Sequence, residues 1–82
     1  MKIQVNFYCP DLTDGIKNGV YHVCDGGTIE DLLEACETAC NVKLSDEARR
    51  IMLFSIEGRN TSKNTALSDG QKVSVLRVVS GG

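Results

Sequence analysis

The 82-residue sequence predicts an α+β fold in which one main helix covers one face of a mixed sheet of four to five strands. Apolar and polar residues alternate near both ends of the chain, which is typical of half-buried strands. A central segment, 29–40, carries apolar residues at helical spacing, and residues that favour turns separate these segments. Because a sheet of this size must cover one face, we expect the amphipathic helix to pack against it.

The first two strands are predicted to form a hairpin. Residues 1–8 alternate between apolar and polar side chains, and residues 19–24 alternate again. Residues 10–18 between them contain proline, aspartates, a glycine and the asparagine of an Asn-Gly pair, which predicts a connection longer than the tightest hairpin turns. The side chains of the first strand expected to face the core are Ile3, Val5 and Phe7.

The helix has recognisable start and stop signals. It follows a break at residues 25–27, and Thr28 with Asp31 three residues later forms a shortened capping box. It is expected to end near Asn41, which tolerates a left-handed cap. Residues 45–50 place acids before bases, which predicts one further helical turn. The apolar stripe of the main helix consists of Ile29, Leu32, Leu33, Cys36, Ala39 and Cys40.

The second half of the chain predicts the remaining strands. Residues 51–57 form the third strand, residues 58–65 a polar excursion with room for a short edge strand, and residues 72–79 the last strand. With one connecting helix, the first and last strands are expected to lie parallel in the middle of the sheet. This arrangement is the β-grasp, or ubiquitin-like, architecture. The inward side chains of the third strand are expected to be Met52, Phe54 and Ile56.

The chain ends on two glycines after the last predicted strand. We divide it into a β-grasp domain, 1–79, and a flexible C-terminal Gly-Gly tail, 80–82. A glycine tail has no Cβ beside the terminal carboxylate, so it can enter a narrow channel and present that carboxylate to another enzyme. The tail therefore predicts that Gly82 is the reacting residue and that Gly81 provides clearance.

Charge and composition argue against several classes of partner. The formal net charge is −2, and the basic residues are scattered rather than clustered, so we expect no nucleic-acid partner. No apolar run approaches the length of a membrane-spanning helix, so we expect no membrane partner. The first residues lack the apolar core of a signal peptide, which predicts a cytoplasmic location.

The four cysteines do not have the spacing of a metal site. The sequence contains no Cys-x-x-Cys motif, and its one histidine, His22, lies inside a predicted strand. We therefore predict no metal site. Cys36 and Cys40 lie four residues apart on one helix face and are interpreted as small core residues. A redox or metal protein using all four cysteines stays open as an alternative, which metal analysis and a thiol count would test.

The last strand predicts a docking surface for a partner protein. If Val73 faces the helix, alternation places Leu76 and Val78 on the outer face of the sheet, and Leu53 of the third strand joins them there. Exposed apolar side chains beside a reactive tail suit a partner-binding patch. The alternative is a β-bulge that turns Leu76 inward and exposes Arg77 instead.

Three segments resemble the ThiS/MoaD family of sulfur carriers, relatives of ubiquitin. GGTIEDLLE at 26–34 is similar to the helix start of the family. LSDGQKVSVLRVVSGG at 67–82 follows its pattern Leu-x-Asp-Gly-Asp-x-Val, an apolar strand and Gly-Gly, and residues 56–58 are similar to its apolar-Asn-Gly turn. Two turn positions depart from the pattern, since Gln71 replaces the second acid and Glu57 replaces asparagine. We interpret both as neutral for function.

The resemblance implies a protein cosubstrate rather than an enzyme, with no permanently bound cofactor. An adenylating enzyme of the ubiquitin-activating type would use ATP to adenylate the Gly82 carboxylate, and a persulfide sulfur would then displace AMP. Reduction would leave a thiocarboxylate that donates sulfur to thiamine-thiazole or molybdopterin synthesis. In the molybdopterin case, which the long first hairpin loop slightly favours, the chain would be the small subunit of a synthase whose large subunit accepts the sulfur.

The resemblance also implies that an apolar residue at the position of Leu76 helps to seat the carrier on its enzymes. An alternative function uses the same activated Gly82 differently. The chain would then be a ubiquitin-like modifier, joined through Gly82 to lysines of target proteins. The sequence does not separate the two functions, because both need the same tail.

Overall fold

The computed structural model describes residues 1–9, 13 and 15–78 of the chain. In chain order, the helices and strands of these residues are β1 (Lys2–Phe7), β2 (Gly19–His22), α1 (Ile29–Cys40), α2 (Asp46–Arg50), β3 (Met52–Ile56), β4 (Arg59–Thr61) and β5 (Lys72–Arg77).

The five strands of the described residues form one mixed sheet in the order β2-β1-β5-β3-β4. β1 and β5 pair in parallel inside the sheet, and the other neighbouring pairs are antiparallel. This confirms the predicted β-grasp fold, and β4 is the short edge strand expected within 58–65. β1, β2, β3 and β5 are each shorter than predicted, because alternation shows which side chains face the core and not where a strand ends.

Helix α1 begins and ends at the predicted caps. The backbone N–H of Thr28 donates to the Asp31 carboxylate at 2.8 Å, and the Asp31 N–H donates to the Thr28 hydroxyl at 3.4 Å. Both halves of the capping box are therefore formed, although aspartate is shorter than the more usual glutamate. Asn41 closes the helix in the left-handed conformation, with φ of 54°.

The core lies between α1 and the inner face of the sheet. The predicted inward side chains of β1 and β3 are all buried. In the stripe of α1, Ala39 is exposed, because it faces a groove between α1 and β2 rather than the sheet, and Cys40 is half-buried. The side chains with essentially no exposed surface are Ile3, Val5, Ile29, Leu32, Cys36, Val73 and Val75.

The short helix α2 is held against α1. The Ser45 hydroxyl accepts from the Ala48 N–H at 3.1 Å and caps α2. The Arg49 guanidinium forms an ion pair with Glu37 of α1, and the Glu37 carboxylate also accepts from the Leu44 N–H at 2.6 Å. Glu37 therefore fixes the connection between the helices and directs the chain into β3.

The turn before β5 is bonded to the start of β1. The Lys2 N–H donates to the Asp69 carboxylate at 2.7 Å, and the Gly70 N–H donates to the Lys2 carbonyl at 2.8 Å. Within the turn, the Gln71 side-chain oxygen accepts from the Ser68 N–H at 2.8 Å. An amide oxygen thus makes the contact that a carboxylate oxygen at position 71 would also make. These bonds set the register of the strand that carries the tail.

The β3–β4 hairpin provides a prediction about stability. Ile56 pairs with Arg59, so the loop is the two residues Glu57 and Gly58, whose φ values are 52° and 83°. Two positive φ values define the turn type that favours Asn-Gly, and a glutamate in this conformation is strained. We expect Glu57→Asn to stabilise the fold by about 0.5–1 kcal/mol. Urea denaturation measures the change, and an unaltered or lower midpoint would contradict it.

Candidate functional site

Strand β5 carries the chain to its C-terminal tail from the interior of the sheet. Val75 pairs with Phe7 of β1 on one side and with Phe54 of β3 on the other, and its side chain is fully buried. After β5 ends, the Val78 N–H donates to the Ile51 carbonyl at 2.7 Å. The last described residue is therefore bonded to the residue that precedes β3. The predicted tail residues Gly81 and Gly82 lie outside the described residues, as does the proposed domain boundary after residue 79.

The structure brings two of the predicted docking residues into direct pairing. Leu53 and Leu76 are cross-strand partners, and both side chains are half-buried. The pairing of β3 with β5 runs without interruption from Met52 and Arg77 to Ile56 and Val73. The bulge considered as an alternative is therefore wrong, and Leu76 stays on the outer face. Val78 is 45% exposed beyond the strand end.

Two further apolar residues extend this surface, Tyr8 beside Leu76 and Ile51 beside Val78. Tyr8 follows Phe7 of β1, its N–H donates to the Val75 carbonyl at 2.8 Å, and the parallel register continued by one residue places it beside Leu76. Its side chain is 60% exposed, and Ile51, bonded to Val78, is 37% exposed. The tail-proximal patch is defined here as Tyr8, Ile51, Leu53, Leu76 and Val78.

Tyr8 and Ile51 were not predicted from the sequence as part of this surface. Tyr8 continues the outer face of β1, but its position beside Leu76 depends on the β1–β5 register, which alternation does not give. Ile51 has φ of −99° and ψ of 8° at the end of α2, so strand alternation does not apply to it. A large apolar side chain at either end of a predicted strand was the available signal for both.

The comparison with known protein families decides the identity at family level. The sequence model of the ThiS family matches residues 14–82, which is most of the chain. The chain belongs to the ThiS family. This confirms the resemblance drawn from the helix start and the C-terminal segment, and it supports a ubiquitin-like sulfur carrier or modifier. A comparison with curated protein sequences gave no match.

Solved structures support the fold of this ThiS-family chain. SAMP1 from Haloferax volcanii superposes with a TM-score of 0.72 at 18% identity, covering 100% of both chains. A second crystal structure, of H. volcanii small archaeal modifier protein 1, gives a TM-score of 0.70 at 14% identity and covers 95% of this chain and 98% of that one. At these identities the likeness shows the shared β-grasp fold.

The cysteines of the ThiS-family chain differ strongly in environment. Burial raises the pKa of the Cys36 thiol to about 12, with the nearby Cys40 as a smaller cause. The Cys40 sulfur lies 3.2 Å from the Tyr21 hydroxyl, and this hydrogen bond lowers the pKa of Cys40. Cys36 is thus a core residue as predicted, whereas Cys40 lies at the edge of the core.

The described residues contain neither a metal-binding cluster nor a membrane-spanning helix. Within residues 1–9, 13 and 15–78, no group of three His, Cys, Asp or Glu side chains is placed to hold a metal ion. In the same part of the chain, neither helix is long and apolar enough to cross a membrane.

The hydrogen bond to Cys40 gives a prediction about thiol reactivity. Tyr21→Phe removes the hydroxyl, so the pKa of Cys40 should rise, and alkylation of Cys40 should require a higher pH than in the unmodified protein. Cys36 should react last, because its high pKa and burial keep it protonated and covered. Peptide mapping after iodoacetamide treatment across a pH series measures this, with the exposed Cys24 as reference. An unchanged Cys40 profile in the variant would contradict it.

Proposed function

We propose that this ThiS-family chain is a sulfur carrier whose C-terminal Gly82 carboxylate is converted to a thiocarboxylate. The observation that carries the proposal is the sequence 67–82, where the turn, the apolar strand and the terminal Gly-Gly follow one another within the family match. The described part of this segment is an interior strand fastened at Val78 to Ile51. A fixed strand followed by four residues suits delivery of the chain end into a partner.

The proposed chemistry takes place on a partner enzyme. The Gly82 carboxylate attacks the α-phosphate of ATP, forming an acyl-adenylate and releasing pyrophosphate. A persulfide sulfur attacks the acyl carbon and expels AMP, which leaves an acyl disulfide. A thiol then reduces this disulfide, so that the thiocarboxylate remains on Gly82 and the thiol is oxidised. The carrier acts as a cosubstrate in this sequence, because the adenylating partner supplies ATP and the catalytic groups.

The tail-proximal patch is proposed as the surface on which the partners dock. Its centre is the Leu53–Leu76 pair, and the exposed Tyr8 and Val78 extend it towards the tail. A few well-packed side chains near the centre of a protein interface contribute most of its affinity, and tyrosine is enriched among them.

Intact-mass spectrometry tests the proposal. The purified chain is incubated with ATP, a candidate ubiquitin-activating-type enzyme and a persulfide donor. The expected result is a mass gain equal to one oxygen exchanged for sulfur, located on Gly82 by fragmentation. The control omits ATP and should show no change. An unchanged mass with an enzyme that forms the acyl-adenylate of this chain would contradict the carrier function.

A second candidate function is protein modification, favoured by the name of the structural neighbour, a small archaeal modifier protein. The activated Gly82 would then form an isopeptide bond with a lysine of a target protein. Trypsin cleaves this chain after Arg77, so a search of digested lysate for peptides that carry Val-Val-Ser-Gly-Gly on lysine separates the two functions. We propose cofactor synthesis as the destination of the sulfur, either at thiamine thiazole or at the large subunit of a molybdopterin-type synthase.

A further inference from the structure

A groove runs between the edge strand β2 and helix α1. It has a volume of about 750 Å³, and its walls include Val20 and His22 of β2 and Ala35 and Ala39 of α1. Val20 is 58% exposed beside it. The helix wall carries small side chains, so a second chain can approach both the helix and the strand edge closely.

The free edge of β2 presents backbone groups towards this side of the molecule. The Val23 N–H donates to the Met1 carbonyl at 2.9 Å, and the Met1 amine donates to the Val23 carbonyl at 2.6 Å. Hydrogen-bonded pairs alternate along an antiparallel ladder, so Val20 and His22 belong to the pairs that are not bonded to β1. Their N–H and C=O groups therefore point away from the sheet. No described residue is bonded to them, which leaves an edge able to pair with an added strand.

The charge around the groove determines which kind of peptide segment can bind there. Asp25, Asp31 and Glu34 line it, and its described lining contains no lysine or arginine. The Asp31 carboxylate is also the capping group of α1, and Asp25 lies 3.7 Å from the Met1 amine. Glu34 is exposed on the helix wall, and the structure shows no ion pair for it among the described residues. The groove is therefore acidic at its rim and apolar inside.

We propose that this groove binds an extended peptide segment of a partner protein, with small apolar residues in its centre and lysine or arginine at its ends. The segment adds a strand to the edge of β2, its apolar side chains contact Ala35 and Ala39, and its basic ends meet the carboxylates. β1 separates this edge from β5, so the groove and the tail-proximal patch engage different partners without sharing their main contacts. The inference is independent of the proposed sulfur chemistry.

Titration of the isotope-labelled chain with a synthetic peptide tests the proposal. The probe is Lys-Lys-Val-Thr-Val-Thr-Val-Lys-Lys, and the amide resonances of Val20, His22 and Ala39 report on the groove. We expect saturable shifts with a dissociation constant below about 1 mM and slower hydrogen exchange at Val20 and His22. Replacing the central valine of the peptide with proline, which removes an N–H donor, should weaken binding at least about tenfold.

Matched variants of the chain test the charge component. Glu34→Lys should weaken peptide binding about tenfold, whereas Glu47→Lys makes the same charge change on α2, outside the groove, and should alter it less than about twofold. Both side chains are exposed, so both variants are expected to fold. A peptide with glutamate at its ends should bind more weakly than the basic probe.

Several results would overturn the proposal. The proposal would be wrong if millimolar peptide gave no saturable shift, if the acidic and basic peptides bound equally well, or if the shifts were confined to Leu53 and Leu76. Concentration-dependent protection of Val20 and His22 without peptide would instead assign the edge to a second copy of this chain. Since the experiment uses no ATP and no activating enzyme, its failure leaves the sulfur-carrier proposal untouched.

Discussion

Deletion of Gly82, or the substitution Gly81→Val, should abolish formation of the thiocarboxylate while leaving the fold unchanged. Deletion moves the carboxylate back by one residue, about 3.3–3.6 Å of extended chain. Valine at 81 places a branched side chain beside the reacting carbon and restricts the backbone there. Because a misplacement of about 1 Å at a reacting centre can cost about 100-fold in rate, we expect at least that loss for both variants.

The control for the tail variants is Ser80→Ala, which changes a neighbouring residue and keeps both glycines. It should retain activity within a few-fold of the parent chain. Thermal denaturation should give the same midpoint for all three variants, because the changed residues follow the last strand, β5, which ends at Arg77. Conversion is measured as the fraction of sulfur-containing chain in the intact mass spectrum. Full conversion of the chain that lacks Gly82 would show that the reactive group lies elsewhere.

The sequence was sufficient for those parts of the fold that local chemistry determines. Thr28 and Asn41 close the ends of α1 because of their own hydrogen bonds and backbone preferences, and both act as predicted. The parallel pairing of β1 with β5 followed from the order of elements and the single long helix. The shorter extent of β2 was not predictable from alternation, because alternation shows which side chains face the core and not where the ladder with β1 ends.

The candidate site was predictable only in part, since it combines residues from three strands. Leu53 and Leu76 were expected on the outer face, and their direct pairing depends on the β3–β5 register. Tyr8 reaches the same surface only through the parallel β1–β5 register. The ion pair of Arg49 with Glu37 is a similar case, because it joins helices that sequence analysis treats separately. In each case the missing information is a long-range contact.

Leu76→Asp should weaken binding of the chain to its activating enzyme by about 100-fold, or about 2.7 kcal/mol. Leu76 lies at the centre of the tail-proximal patch, with Leu53 paired to it and Tyr8 at its other side. A carboxylate at this position must lose its hydration when the partner covers the patch, and no basic side chain of the patch itself can compensate. Isothermal titration calorimetry with the purified activating enzyme measures the change in affinity.

The matched control is Gln4→Asp, which places the same charge on the outer face of the sheet beside Lys72, at the far end of β1 and β5. It should alter affinity less than about threefold, because exposed charges remote from an interface contribute little.

Val78→Asp provides a second test outside the strands. The Val78 side chain is 45% exposed, so the effect of this variant does not depend on the stability of the β3–β5 pairing. We expect it to weaken binding about tenfold. If Leu76→Asp and Val78→Asp both fold and bind as tightly as Gln4→Asp, the partner approaches the tail from another surface and the patch is not the docking site.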